Sequence, residues 1–242
     1  MKSKLIMLTL LCVALAAMPL FAKEVVTVTR IDEANIQTYG TAAPTPEVVG
    51  NLNTPQWLLG GWFAGNEAYA FNFTPAAQIS CVSGFATTMV HMYMDFEATD
   101  VPVTFDVQGV LGSQVWDPAM GCFVPGDVDC AGSVYTVTID AAGTYDLAIP
   151  MACDCAYVFD GAGNPYQYYL AMYYSGAFTA RVVTDGVQAA CTSFNDWGQG
   201  WQDLEPYFTT YGNINIWADV NCCANPVSTE SETWGGIKSL YR

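Results

Sequence analysis

The sequence predicts an all-β protein: a two-sheet antiparallel sandwich of immunoglobulin-like or jelly-roll type, braced by disulfides. Three observations predict it. Apolar and polar residues alternate with period two, Gly and Pro separate these runs at short intervals, and eight cysteines follow an apolar leader. Period-two alternation is typical of strands buried on one face, and many short strands between turn signals are typical of sandwiches.

The leader, residues 1–22, is interpreted as a secretory signal peptide. Lys2 and Lys4 precede an apolar run from Leu5 to Ala17, and Ala22 ends a small-residue approach to a cleavage site. This run of about 13 residues is shorter than the roughly 20 that a membrane-spanning helix needs. We therefore expect a secreted or cell-surface protein with no transmembrane segment after cleavage.

The charge balance limits the partners. After residue 22 the chain has five Lys and Arg against 23 Asp and Glu, so a nucleic-acid partner is not expected. The chain is 52% hydrophobic and only 12% charged, which excludes disorder for most of its length.

Strands are predicted wherever the alternation is clear, most plainly at residues 101–107. Further strands are predicted at residues 24–31, 67–73, 90–96, 135–139, 145–149, 166–174, 178–182 and 213–218. The short segment Asp140–Gly143 is expected to close a hairpin between its flanking strands, and Ser175-Gly176 to turn one strand into the next.

Composition divides the mature chain into three parts. Residues 23–55 are predicted to hold an N-terminal strand and a Pro-rich linker, and residues 56–223 the sandwich domain. Residues 224–242 are predicted to be a polar linker and a short amphipathic tail. The tail is interpreted either as a localisation signal or as cover for an edge of the sandwich.

An even number of cysteines behind a signal peptide predicts disulfides. Cys122 and Cys130 flank Pro125-Gly126, which is interpreted as a turn, so these two are expected to form a local bridge. Bonds inside the close pairs would be strained, so those four cysteines are expected to reach Cys81, Cys191 and one another across the fold. The close pairs are Cys153 with Cys155 and Cys222 with Cys223.

Four stretches resemble uncharacterised secreted proteins of environmental bacteria. They are residues 124–130, Cys153-Asp154-Cys155, residues 196–223 with their Trp-Gly-Gln-Gly-Trp start, and the tail Trp234–Arg242. The resemblance implies an extracellular β-domain with a recurring short C-terminal segment. It implies no catalytic or binding residue.

No catalytic motif is present. His91 is the only histidine, no G-x-S-x-G elbow occurs, and a non-enzymatic role is expected. A glycoside hydrolase stays open as an alternative, because Asp95 with Glu97, or Asp203 with Glu205, would supply the two carboxylates that such enzymes need.

Aromatic residues are the largest surplus, with 7 Trp, 14 Tyr and 12 Phe. Exposed rings stack on sugars, so a polysaccharide or cell-envelope ligand is predicted; the alternative is that these rings fill the core. The predicted ligand-binding residues are Trp57, Trp62, Trp197, Trp201, Tyr169 and Tyr173.

The sequence offers ligands for one cofactor, a structural calcium ion. Its predicted ligands are Asp117, Asp127 and Asp129, since Ca²⁺ prefers carboxylate oxygens; the alternative is that these residues stabilise turns. Self-assembly is a third functional class, in which residues 24–31 would add a strand to a neighbouring subunit.

Overall fold

The computed structural model describes residues 47–223 in full, together with the backbone of two strands at residues 27–30 and 36–39. The predicted signal peptide, most of the predicted N-terminal segment and the predicted tail lie outside the described residues. In the described ranges no helix is both long enough and apolar enough to cross a bilayer.

Within the described residues sixteen strands form two sheets, which confirms the predicted all-β, two-sheet fold. In chain order the strands are β1 (Thr27–Arg30), β2 (Ile36–Tyr39), β3 (Glu47–Gly50), β4 (Trp57–Phe63), β5 (Glu67–Phe73), β6 (Gly84–Phe96), β7 (Val103–Asp117), β8 (Cys122–Ala131), β9 (Tyr135–Ile139), β10 (Gly143–Pro150), β11 (Ala156–Tyr157), β12 (Tyr168–Ser175), β13 (Ala180–Thr184), β14 (Ser193–Asp196), β15 (Gln202–Asp203) and β16 (Ile216–Cys223). The described helices are short: α1 (Glu205–Phe208) and two 3-10 turns (Pro75–Ala77 and Thr209–Tyr211).

Sheet 1 has nine strands in the order β1-β4-β13-β6-β10-β2, with β16 and β11 also paired to β6 and β3 paired to β16. Sheet 2 has seven strands in the order β15-β14-β5-β12-β7-β8, with β9 also paired to β7. All pairs are antiparallel except β2 with β10. The long strand β6 organises sheet 1, because four other strands hydrogen-bond to it.

The main core lies between the two sheets. On β6 the alternate residues Val90, Met92, Met94 and Phe96 point inward, as the period-two pattern predicts. Aromatic rings fill one end of this core, where Phe105 and Phe178 stack with centroids 4.2 Å apart. The core thus absorbs much of the aromatic surplus.

A second, smaller apolar cluster covers the outer face of sheet 2. The middle of β8 covers it: the Tyr169 hydroxyl donates a hydrogen bond to Gly126 O, 3.3 Å away. Gly112 permits this close approach, because a Cβ there would lie 2.4 Å from the Tyr169 ring and 2.3 Å from Asp127 O. The cluster consists of Ala70, Val110, Val124, Tyr169, Ala171 and Phe194.

Two predicted turns connect different sheets. The segment Asp140–Gly143 follows β9, which pairs with β7 in sheet 2, and leads into β10, which pairs with β6 in sheet 1. The predicted hairpin at Asp140–Gly143 is therefore wrong, because a short turn does not determine whether the next strand pairs with the previous one or crosses the core. Ser175-Gly176 likewise leads from sheet 2 to sheet 1.

Part of the predicted N-terminal segment belongs to sheet 1. Residues 47–50, inside the predicted 23–55 segment, form β3 and pair with β16. The predicted N-terminal strand is present as β1, which pairs with β4 of the same chain. Addition of this strand to a neighbouring subunit would therefore require it to leave its own sheet.

All eight cysteines of residues 47–223 form disulfides, as predicted. The predicted Cys122–Cys130 bridge is wrong. Both residues lie in β8 and pair with Asp117 and Leu111 of β7, six residues apart on that strand, so about 20 Å separates them. A disulfide joins Cα atoms about 4.4 to 6.8 Å apart. The observed pairs are Cys81–Cys222, Cys122–Cys191, Cys130–Cys153 and Cys155–Cys223.

Candidate ligand-binding cleft

The β7–β8 hairpin carries the most exposed aromatic pair of sheet 2. Trp116 and Phe123 are opposite each other across the two strands, with ring centroids 5.3 Å apart and ring planes at 75°. Their side chains are exposed, at 52% and 39% respectively. Two large rings at the surface of a domain are available to a ligand.

Local sequence explains the hairpin. Asp117 Oδ1 accepts the N–H of Ala119 at 2.7 Å, and the N–H of Gly121 donates to Asp117 O at 2.8 Å. Gly121 has φ +71°, a conformation that favours glycine. The Asp-Pro start and the Gly end of this five-residue turn together reverse the chain between Trp116 and Phe123.

Two contacts hold the hairpin against the rest of sheet 2. The Cys122–Cys191 disulfide joins the start of β8 to the segment that precedes β14. Asn72 on β5 donates through Nδ2 to Phe123 O at 2.8 Å and to Cys191 O at 3.3 Å. These contacts position the aromatic pair relative to β5 and β12.

A cleft of about 300 Å³ lies between the hairpin and the neighbouring strands. It combines the two aromatic rings with amide and hydroxyl side chains, and none of its lining residues carries an ionisable side chain, since both cysteines are disulfide-bonded. The lining residues are Asn72, Phe73, Thr74, Gln114, Trp116, Gly121, Cys122, Phe123, Gln167, Cys191 and Thr192.

Two amide oxygens of lining residues are buried without a hydrogen-bond partner among the described residues: Asn72 Oδ1 and Gln167 Oε1. The Asn72 amide orientation is fixed, because its Nδ2 faces two carbonyl oxygens that accept but cannot donate. The amide nitrogen of Gln114 is also engaged within the protein, because its Nε2 donates to the carbonyls of Phe73 and Tyr168. Two residues of the cleft lining therefore each carry a buried acceptor that lacks a donor.

Two of the predicted ligand-binding residues are buried. Trp62 is 1% exposed and donates through Nε1 to Asn195 Oδ1 at 3.0 Å, while Tyr169 is 0% exposed beneath β8. Neither ring can stack on a ligand in this fold, so the prediction is wrong for both. The period-two pattern places both residues on strands, but it does not show which outer faces are covered.

The other four predicted residues do not converge on one site. Trp57 packs against Tyr211, and Trp197 packs edge-on against Trp62. Trp201 and Tyr173 do meet on the outer face of sheet 2, with ring centroids 6.1 Å apart, and both are half-buried. Burial and the charge of Asp196 raise the pKa of Tyr173, so its hydroxyl stays protonated.

The three predicted calcium ligands do not form one site. Asp117 pairs with Cys122, five residues before Asp127 on the same extended strand, which separates the two by about 15 Å. Asp117 instead stabilises its turn. Partial desolvation and the charge of Asp127 raise the pKa of Asp129.

One group of possible metal-ligand atoms occurs within residues 47–223, and two of its three residues form a disulfide. It contains Glu47 with Cys81 and Cys222, which are bonded to each other and so offer no thiolate. The Glu47 carboxylate accepts the backbone N–H of Ser80 at 2.7 Å.

The carboxylates proposed for a hydrolase have structural partners. Asp95 and Glu97 share the guanidinium of Arg181, and Asp95 also accepts a hydrogen bond from Thr144 at 2.7 Å. Asp203 accepts the backbone N–H groups of Cys191 and Glu205, and burial raises its pKa.

His91 lies on the outer face of sheet 1 and is only 7% exposed. Its Nδ1 is 2.9 Å from Asp146 Oδ1, so this nitrogen carries a proton. Nε2 is 3.4 Å from Asp219 Oδ2, too long for a good hydrogen bond, and the ring stacks on Trp217 at 4.9 Å. Burial by itself lowers the pKa of His91, but the hydrogen bond and charge of Asp146 and the charge of Asp219 raise it overall.

This environment predicts a pH-dependent stability. The pKa of His91 in the folded protein is above its unfolded value of about 6.5. Protonated His91 therefore contributes fully to the free energy of unfolding below that value, and this contribution is lost as pH rises through the folded pKa. We expect denaturant unfolding to give a lower free energy at pH 8.5 than at pH 6, and a smaller difference in His91→Gln. An equal pH dependence in the variant would contradict the assignment.

Trp116 and Phe123 were not predicted as ligand-binding residues, although the sequence contains a signal for them. Asp117-Pro118 followed by Gly121 is a turn signal, and the two aromatic residues flank it symmetrically. No comparable sequence signal points to Asn72 and Gln167 as cleft residues. Separate strands and a disulfide bring these two residues to the hairpin, and the sequence does not show which strands are neighbours.

Comparisons with known proteins add little. No family model and no curated protein matches the chain. A similar solved structure contains the cysteine protease and lectin-like domains of Cwp84, a surface layer associated protein of Clostridium difficile, with 10% sequence identity and a TM-score of 0.42. The match covers 75% of this chain and 37% of that one, so the chain spans less than half the length of that structure.

Proposed function

We propose that the protein is a secreted, non-catalytic β-sandwich module that binds carbohydrate in the cleft beneath the β7–β8 hairpin. The observation that carries this proposal is the exposed Trp116–Phe123 pair beside the amides of Asn72, Gln114 and Gln167. A sugar ring has an apolar C–H face that packs on aromatic rings, and hydroxyl groups that hydrogen-bond to amides.

The disulfides support an extracellular location. Four bonds use every cysteine of the mature chain, and such bonds persist in oxidising compartments such as the cell exterior. This agrees with the signal peptide that residues 1–22 predict.

The carboxylates favour binding over hydrolysis. Glycoside hydrolases place two carboxyl groups on either side of the scissile bond, and the cleft lining contains none. Asp95 and Glu97 form ion pairs with Arg181, and Asp203 accepts two backbone hydrogen bonds. The Glu205 carboxylate accepts a hydrogen bond from Gln188 Nε2. A non-catalytic module needs no such pair.

Replacing Trp116 by alanine tests the proposal. Affinity electrophoresis and a glycan array on the purified chain should detect a ligand, and Trp116→Ala should weaken its binding about 30-fold, since a central aromatic contact contributes about 2 kcal/mol. The melting temperature should change little, because the ring is half exposed.

Tyr135→Ala is the matched control. Tyr135 is also an exposed aromatic residue of sheet 2, but it pairs with Val107, away from the cleft. Its loss should leave binding unchanged. Absence of binding to plant, algal and bacterial glycans would overturn the proposal, and release of reducing sugar from the same panel would favour a hydrolase.

A further inference from the structure

Basic side chains are nearly absent from the described domain. Residues 47–223 contain 18 Asp and Glu against a single Lys or Arg, Arg181. Arg181 is already engaged: its Nε lies 2.7 Å from Asp95 Oδ2 and its Nη1 2.8 Å from Glu97 Oε1. No lysine or arginine of this domain is therefore available to neutralise an anionic ligand.

The cleft is uncharged within this acidic domain. Two carboxylates border it without lining it, since Asp203 accepts the N–H of Cys191 at 2.9 Å and Asp117 pairs with Cys122. A ligand with carboxylate or sulfate groups would lose hydration in the cleft, meet these negative charges and gain no ion pair. A neutral ligand meets neither penalty.

The polar groups of the cleft favour ligand donors. Asn72 Oδ1 and Gln167 Oε1 are acceptors without a partner among residues 47–223, and the fixed orientation of the Asn72 amide prevents exchange of its oxygen and nitrogen. Hydroxyl groups donate to such oxygens, whereas carboxylate and sulfate oxygens only accept. The lining therefore offers neutral amides and hydroxyls, with two buried acceptors that only a donor could satisfy, and no group that would pair with an anion.

We infer that the cleft selects neutral, hydroxyl-rich glycans and rejects polyanionic ones. This inference rests on the proposed carbohydrate-binding function and specifies its ligand class. Because no ion pair forms, binding should depend little on ionic strength.

The experiment compares neutral and anionic polysaccharides on the full mature chain. Soluble β-glucan, galactomannan and xylan represent the neutral class, and alginate the anionic class, each at about 20 mM and about 500 mM NaCl. We expect at least one neutral glycan to bind with a Kd that changes less than about twofold with salt, and alginate to bind at least about tenfold more weakly.

Two variants separate failure of the inference from failure of the proposed function. Thr74→Lys adds a cation to the lining at a side chain that makes no capping hydrogen bond, and should create salt-sensitive alginate binding. Alginate binding as tight as glucan binding, and lost in Trp116→Ala, would overturn the neutral class and keep the cleft. Binding that Trp116→Ala leaves intact, or no binding to any glycan, would overturn the proposed function itself.

Discussion

Replacement of Cys81 and Cys222 by alanine should lower the free energy of unfolding by about 4 to 5 kcal/mol. This disulfide joins residues 141 apart in sequence and ties the segment before β6 to the last strand of sheet 1. In the chain-entropy model a cross-link stabilises by limiting the unfolded chain, and the effect grows with the loop that it closes. Cys155–Cys223 ends at the neighbouring residue and shortens the effective loop, which keeps the expected loss near the lower figure.

The Cys130–Cys153 bond is the matched comparison, because it closes a loop of only 23 residues. Its double alanine variant should lose about 3 kcal/mol. Denaturant unfolding with a constant m-value measures both losses, and the larger one corresponds to a fall in melting temperature of about 10 to 15 °C. An equal loss in the two variants, or a larger loss for the short loop, would contradict loop entropy as the mechanism.

The substitution Asn195→Ala should cost about 3 to 5 kcal/mol. Asn195 is completely buried between the sheets and links three groups: Nδ2 donates to Glu67 Oε2 at 2.8 Å and to Ala68 O at 2.9 Å, while Oδ1 accepts from Trp62 Nε1 at 3.0 Å. Alanine removes all three hydrogen bonds and leaves a cavity. Buried polar groups that lose partners are among the costliest effects of a point mutation.

Glu67 explains why this network is sensitive. Its carboxyl is buried in the core and also accepts the Tyr69 hydroxyl at 3.0 Å and the N–H of Ala64 at 2.8 Å. Burial and the charge of Glu67 raise the pKa of Tyr69 well above its usual value, so this hydroxyl remains a donor. Removal of Asn195 takes one of the side-chain donors away from a carboxyl that water cannot reach.

Two controls test the assignment by denaturant unfolding. Gln188→Ala removes an exposed amide and should change the free energy of unfolding by less than about 0.5 kcal/mol. Glu67→Gln combined with Asn195→Ala should cost less than the sum of the single variants, because both act on one hydrogen bond. Strict additivity would show that Glu67 and Asn195 do not depend on each other.

The sequence by itself determined the fold class and most of the strands. Alternation at Val90–Phe96 and Val103–Val107 predicted the inward faces of β6 and β7, because burial of one face of a sheet imposes period two on the residues. The even cysteine count predicted that all eight would be bonded. These properties follow from local pattern and composition, which do not depend on which strands are neighbours.

Only the tertiary structure decided the pairing. Cys122 and Cys130 are eight residues apart in sequence but lie at opposite ends of one strand, and each bonds to a distant segment. The same holds for the Asp140–Gly143 turn, which crosses the core. Sequence separation limits how far apart two residues can lie, but it does not show whether the chain between them turns back or stays extended. Local spacing therefore could not identify the disulfide partners.

The tertiary structure also determined which aromatic residues are exposed and form the candidate site. Trp62 and Tyr169 were predicted at the surface and are buried, because Trp62 faces the core and β8 covers Tyr169. Trp116 and Phe123 are exposed although Asn72 of β5 and the Cys122–Cys191 disulfide hold their hairpin against the rest of sheet 2. Chemical type predicted that aromatic rings would matter, but exposure depends on how distant strands cover one another, and only the folded chain contains that information.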